Sequence, residues 1–244
     1  MNWDLDPILR EWKAQHGATQ ARLVTARDGR PIVLVRMDLG VLQMETQGRP
    51  DGVMPHGFAT FFDYLRDQAR SHRKGQHEFR LSAEQCADAD REFVQFFQRR
   101  IAWLALREFD RAIADADHTL AFMDFVRDHA PNEEYRLAHE QFRGFVLFHR
   151  AQAAAARAVD RNDPESAVDA VHEALDKIQS FFSEHDLEEQ LEDDVLVQEL
   201  RKLEKSLRNQ HGIEETLNEQ LARAVANEEY EMAAKLRDEI RQRR

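Results

Sequence analysis

Leu217-Asn218-Glu219-Gln220-Leu221-Ala222-Arg223-Ala224-Val225-Ala226-Asn227-Glu228-Glu229-Tyr230-Glu231-Met232-Ala233-Ala234-Lys235-Leu236-Arg237-Asp238-Glu239-Ile240 carries two helical periodicities separated by a short polar break. Leu217, Leu221, Ala224 and Val225 fall on one face of the first helix. Tyr230, Ala233, Leu236 or Arg237, and Ile240 fall on one face of the second. Asn227-Glu228-Glu229 lies between them, and Asn favours caps and turns because its short amide bonds nearby backbone groups. Two short helices joined so tightly lie antiparallel with apolar stripes inward, and Ala233-Ala234 lets them approach closely.

The order and spacing of Leu217/Leu221, Asn227-Glu228-Glu229-Tyr230 and Ala233 to Ile240 resemble the UVR motif, the helical hairpin first named for the bacterial excision-repair proteins UvrB and UvrC. The resemblance implies a protein-docking element that pairs with another hairpin of its kind. The motif also recurs in adaptors linked to bacterial Clp proteases, and it contains no catalytic residue. Carried onto this chain, the partner-binding residues are Leu217, Leu221, Val225, Tyr230, Ala233, Arg237 and Ile240. So short a helix pair buries too little apolar area to be very stable alone. The rest of its stripe is expected to pack on a protein partner, on a second copy in a homodimer, or back on the Leu187–Gln210 helix.

Composition narrows the alternatives. The 244 residues carry a net charge of −12, with 42% hydrophobic and 33% charged residues, so the chain reads as soluble and globular. A duplex-binding surface needs clustered Lys and Arg to neutralise phosphates, and the only cluster is Arg241-Gln242-Arg243-Arg244. That tail fits a helix C-terminus, where cations oppose the macrodipole, so no specific DNA binding is expected. The single cysteine, Cys86, excludes an internal disulfide and reads as a small core residue. Met1-Asn2-Trp3-Asp4 has no signal-peptide character and no run is long enough to span a membrane, which predicts a cytoplasmic protein.

Ahead of the hairpin, Asp6-Pro7 reads as N-cap and first residue of a short helix with Ile8, Leu9 and Trp12 on one face, closed by Gly17. Leu23-Val24-Thr25 and Ile32-Val33-Leu34-Val35 flank a Gly-containing turn, and the run continues to Glu45. Two or three antiparallel strands are expected, with a bulge or bend at Gly40 where the alternation changes phase. Gly48 to Gly57 is a shaped loop on which Arg49, Asp51 and His56 could converge. It reads either as a rigid connector or as a small ligand or peptide site. The run Asp38–Gly57 also resembles a segment of bacterial UVR-motif proteins of unassigned function, which adds no activity.

From Phe58 on the chain reads helical. Phe58, Phe61, Phe62 and Leu65 form a stripe whose helix frays through Ser71 to Gly75. Ser82-Ala83-Glu84-Gln85 is a capping box, opening a long helix with Phe93, Phe96, Phe97 and Ile101. Ala102 to Ala116, with Phe109 at the turn, and Ala151 to Leu175, with Asp163-Pro164 at the cap, resemble tetratricopeptide helix pairs. They lie 55 residues apart (Ala112 to Ala167), so no repeat array follows. Pro131 separates two helices, and Phe142, Phe145, Val146 and Phe148 predict a core-central helix. Leu187–Gln210 reads as a charged helix with a coiled-coil-like seam, ending at His211-Gly212.

The chain has no phosphate-binding Gly-rich loop, no His-Glu-x-x-His and no Cys-x-x-Cys. The histidines are scattered, with His118 and His129 on one helix and His139 and His149 on another. No catalytic residue, metal or cofactor is expected. The sequence therefore predicts a mainly α protein. Residues 1–57 form an N-terminal helix, a small antiparallel β element and the Gly/Pro loop; 58–210 a tetratricopeptide-like helical bundle; and 213–244 a C-terminal UVR-like hairpin. It is read as a non-enzymatic adaptor or scaffold. The alternatives are a ligand-binding or enzymatic protein using the Gly48–Gly57 loop, or an accessory factor of excision repair.

Overall fold

Val33 and Val35, two residues apart in an apolar run, fall on one face of an extended strand, and that face anchors the N-terminal sheet. In the computed structural model, which describes residues 5–15, 17–72 and 79–243, three antiparallel strands run β1 (Gln20–Thr25), β2 (Pro31–Met37) and β3 (Gly40–Glu45) in that order across the sheet. Ile32, Val33, Val35 and Met44 are buried. The phase change at Gly40 is not a bulge. Met37 pairs with Gly40 across a two-residue turn at Asp38-Leu39, so the alternation ends there, and Leu39, at 96% exposure, projects from the tip. The short helix α1 (Asp6–Glu11) begins one residue earlier than expected. Leu5 takes the cap position, Asp6 lies inside the first turn, and Trp12 ends the helix before Gly17. The expectations placed on residues 1–4, on residues 73–75 and on the side chains of Arg243 and Arg244 lie outside the described residues.

The fold is mainly α. Its described residues form two compact units, 1–146 and 147–244. In the first, α2 (Phe61–His72), α3 (Ala83–Ala105), α4 (Phe109–His129) and α5 (Glu133–Glu140) accompany the sheet. The capping box at Ser82 forms as expected, with Ser82 and Gln85 exchanging hydrogen bonds. α3 is central because its faces meet α2, α4 and the sheet. The aromatic stripe of α2 packs into this core: Phe62 stacks on Phe122 at 4.8 Å, and Phe93 stacks on Phe122 at 4.5 Å. α2 has an unusual cap. Glu92 of α3, fully buried, accepts from the Phe61 N–H at 2.6 Å and the Phe62 N–H at 3.1 Å. That carboxylate satisfies donors that a helix N-terminus otherwise leaves open.

Asn132 caps α5 after Pro131, as the sequence implies. Two expectations nearby change. Phe142 is 55% exposed and not central to a core. His139 and His149 lie on different helices, α5 and α6 (Arg143–Asp160). The boundary between the units falls inside α6, where no loop marks it, whereas the sequence placed divisions at 57/58 and after 210.

The second unit continues through α7 (Pro164–Glu184), α8 (Val195–His211), α9 (Leu217–Ala226) and α10 (Tyr230–Arg243). Asp163 caps α7 by accepting from the Ser166 N–H. α7 buries Ala167, Val168, Val171, Ala174 and Ile178, and α8, which packs along it, buries Val197, Leu200 and Leu207. α8 is shorter than the expected Leu187–Gln210 helix because Asp194 caps it at the Val197 N–H. Leu187 and Leu191 fall outside it, and of the expected seam residues on α8 Leu200 and Leu207 are buried while Val195 is exposed. Gly212 ends α8 in the left-handed conformation, φ +66°, which is the ordinary role of glycine past a helix C-terminus.

Candidate functional site

The hairpin of α9 and α10 is built around small residues. Ala224, Ala233 and Leu236 form its buried centre, with Leu217 and Leu221 packed against them. Position 236, and not 237, therefore faces inward, and Arg237 is exposed and paired with Asp238 at 2.9 Å. Asn227 caps α9 and Glu228 takes φ +60°, which turns the chain back on itself. Of the residues expected to bind a partner, Leu217, Leu221 and Ala233 belong to the hairpin's own core, and Ile240 is half-buried. Val225 and Tyr230 are 52% and 67% exposed, and Met232, which the periodicity passed over, is 51% exposed. All three lie within one helical turn of the connection, among the exposed Asn227, Glu228, Glu229 and Glu231, so the tip of the hairpin holds large apolar side chains in solvent within a polar surround.

The base of the hairpin is held differently. Thr216 and Glu219 make a capping box in which the Glu219 N–H donates to Thr216 Oγ1 and the Thr216 N–H donates to Glu219 at 2.7 Å. Thr216 is fully buried, and its hydroxyl donates to Asp169 of α7 at 2.7 Å. The Asn218 amide donates to the other Asp169 oxygen at 2.6 Å. From α8, Arg208 donates to Glu204 at 2.8 Å and also to Glu219. Burial works against the Glu219 charge, but the Arg208 guanidinium and the Thr216 N–H outweigh it and hold the carboxyl below the usual range. The Glu219 contact correspondingly holds Arg208 above the ordinary arginine value. The reading of the hairpin from sequence passed over this capping box, although Thr-x-x-Glu at 216–219 is its signature. The partner Asp169 carries no such signature, because it lies 47 residues away.

His172, Glu204 and Glu219 bring ligand-type atoms within 4.8 Å of one another. Arg208 already occupies this cluster by donating to both carboxylates. A cation there would meet a guanidinium, so the arrangement is a salt-bridged joint.

The Gly48–Gly57 loop brings two of its three candidate residues together. Arg49 is buried, donates to Gln95 at 3.2 Å and pairs with Asp51 at 3.1 Å, and Gln95 donates to Asp51 at 2.8 Å. His56 is placed otherwise: its ring stacks on Tyr64 at 3.9 Å. Arg99 fastens the same segment, donating to the carbonyls of Glu45 at 3.0 Å and Gly48 at 2.8 Å while forking onto Asp115. The Arg49 and Asp51 functional groups are thus engaged with α3. Cys86 is buried on α3, and burial pushes its thiol up, away from thiolate reactivity.

Comparison with known proteins identifies residues 215–242 as a UvrB/uvrC motif. No curated protein and no solved structure matches the chain. The matched residues begin at the capping box and end in the last turn of α10, so the motif and the hairpin are the same object. A motif of this kind suggests a role related to nucleotide excision repair or to protein or DNA interaction. No helix among the described residues is long and apolar enough to cross a membrane.

Proposed function

We propose that the protein is a non-enzymatic adaptor whose C-terminal UVR hairpin docks on another hairpin of the same type, in a second copy of this chain or in a partner protein. One observation carries the reading: the hairpin is fixed at its base by Thr216, Asp169 and Arg208, while its tip leaves Val225, Tyr230 and Met232 in solvent. An element whose root is bonded and whose tip holds large apolar side chains in solvent is suited to presentation. Of these, Tyr230 is of the residue type that carries a disproportionate share of binding energy when a partner buries it.

The charge supports a protein partner over a duplex. A net −12 opposes a phosphate backbone, and the basic residues of α8 and α10 are interleaved with acids: Arg201 pairs with Glu192 and Arg237 with Asp238. The test is co-precipitation from the source cell with the full chain, with a chain ending at Gln210, and with Tyr230→Ala. The reading predicts a defined partner, or a second copy, that is lost with both changes. A partner retained by the chain ending at Gln210 would move the docking function elsewhere in the protein.

A further inference from the structure

In the first unit, α3, α4, α5 and the first turn of α6 frame an open cavity of about 540 Å³. Phe93 and Phe97 of α3, Met123 of α4, and Phe145 and Val146 of α6 give it an apolar wall. Val94 and Phe142, 58% and 55% exposed, make the lip apolar too. Protein interiors ordinarily hold few voids larger than a water molecule, whereas apolar pockets of about 300–1,000 Å³ with a few placed polar groups are the usual form of small-molecule sites.

Four polar side chains reach the lining, and three of them are already engaged. Arg100, 1% exposed, donates to Thr119 at 3.1 Å beside the Asp115 charge. The Thr119 hydroxyl donates to the Asp115 carbonyl at 2.7 Å. Asp90 accepts from Tyr135 at 2.8 Å and lies 3.0 Å from His139 Nε2. The fourth side chain, His139, has a group to spare. The Asp90 carboxylate can only accept, so Nε2 carries the ring proton and Nδ1 presents a lone pair. Burial pushes the His139 pKa down against the pull of Asp90, which keeps the ring neutral at neutral pH. Among the described residues Nδ1 has no hydrogen-bond partner, and no buried side-chain nitrogen or oxygen there goes unpartnered. Nδ1 is therefore an open acceptor on a residue that lines the cavity.

We propose that this cavity binds an uncharged, largely apolar small molecule whose single hydroxyl donates to His139 Nδ1, its alkyl or arylalkyl body lying among the phenylalanines. A carboxylic acid fits poorly, because Arg100 is held by its own partners and the Asp90 charge stands beside His139. A polypeptide segment would bring backbone N–H and C=O groups that the apolar wall cannot satisfy. A pure hydrocarbon would cover the acceptor and leave it unpartnered, which costs binding energy. This site is separate from the hairpin and from the Gly48–Gly57 loop, and its outcome does not depend on the docking role.

The test is titration of the full chain with the uncharged fluorescent probe N-phenyl-1-naphthylamine, followed by its displacement with 1-decanol, 1-methoxynonane and decanoate. The ether is an isomer of the alcohol without its donor, and decanoate adds a charge. Val94→Trp and Ala138→Trp fill the cavity from its exposed lip, and His139→Phe keeps a ring while removing the acceptor. The proposal expects saturable 1:1 probe binding. Decanol should displace the probe about tenfold more tightly than the ether, the effect of one hydrogen bond, and more tightly than decanoate. Both lip variants should lose probe binding with unchanged circular dichroism and melting. His139→Phe should bring decanol to the level of the ether and leave the ether unchanged. If that variant does not fold, the alcohol–ether pair decides the hydroxyl question alone. Absence of probe binding to the unmodified chain, equal displacement by alcohol and ether, decanoate tighter than decanol, full probe binding in the lip variants, or undiminished decanol binding in a folded His139→Phe would overturn the proposal.

Discussion

Replacing Asp169 by Ala should loosen the base of the hairpin and leave the rest of the protein folded. Asp169 accepts from the buried Thr216 hydroxyl at 2.7 Å and from the Asn218 amide at 2.6 Å. Hydrogen bonds to a charged group contribute about 1.5–3 kcal/mol each, with less from an exposed donor such as Asn218. A loss of about 2 kcal/mol raises the population of locally opened hairpin about 30-fold. Alanine is a good helix former, so α7 itself should not weaken. Amide hydrogen exchange read by mass spectrometry reports the opening directly, because local unfolding is resolved segment by segment. Protection across residues 217–236 should fall about 30-fold, while α3 and α4 exchange as before. Adding Thr216→Val completes a double-mutant cycle, in which the two effects should fall short of additivity by about 1–2 kcal/mol because they remove the same contact. Unchanged protection in Asp169→Ala, or strict additivity, would refute the claim that this pair fastens the hairpin.

Three further outcomes follow from the same geometry. The Glu219 carboxyl is held below its ordinary value of 4.5, so it stabilises the folded hairpin above that pH and loses this effect as pH falls through its folded pKa; exchange protection measured from pH 6 to 3 should drop less steeply in Glu219→Gln than in the unmodified chain. Glu92→Leu strands the Phe61 and Phe62 amides without their acceptor, so it should destabilise the first unit by about 2–5 kcal/mol in urea unfolding, and a change under 1 kcal/mol would show that the cap is dispensable. Duplex DNA should show no sequence-selective binding at physiological salt, and a micromolar complex with a steep salt slope in an anisotropy titration would contradict the proposed surface.

Elements with local signatures are legible in the amino-acid sequence. The Leu217/Leu221 spacing with its Asn227 turn marks the hairpin, Ser82 to Gln85 marks the start of α3, and the Gly29 turn marks the β1–β2 hairpin. What stays hidden depends on long-range geometry. Periodicity marks which residues are apolar, but not whether a facing surface exists. Val225 and Tyr230 therefore group with Leu221 by spacing, although only Leu221 finds partners within the hairpin. The same limit applies to Phe142, an aromatic in an apolar run that lies at a cavity lip. Leu39 extends an alternation that the Asp38-Leu39 turn has already ended. Glu92, Asp169 and Arg208 look like any other charges on a helix, because their partners lie 30, 47 and 11 residues away. Arg49 and Asp51 are neighbours in sequence and in space, but Gln95 and Arg99, which fasten their loop, sit on α3, 46 and 51 residues from the groups they hold.

The most direct measurement is the association of Tyr230→Ala compared with the unmodified chain, by sedimentation equilibrium for self-association and by titration for any partner recovered by co-precipitation, with a thermal melt of each. Tyr230 is 67% exposed and contributes little to the hairpin's own core. Docking through the tip predicts association weakened by about 1–3 kcal/mol, the range for truncating an interface anchor, with the melt unchanged. Unchanged association together with a clear fall in melting temperature would mean that the tip packs within the chain, and the docking role would be lost with it.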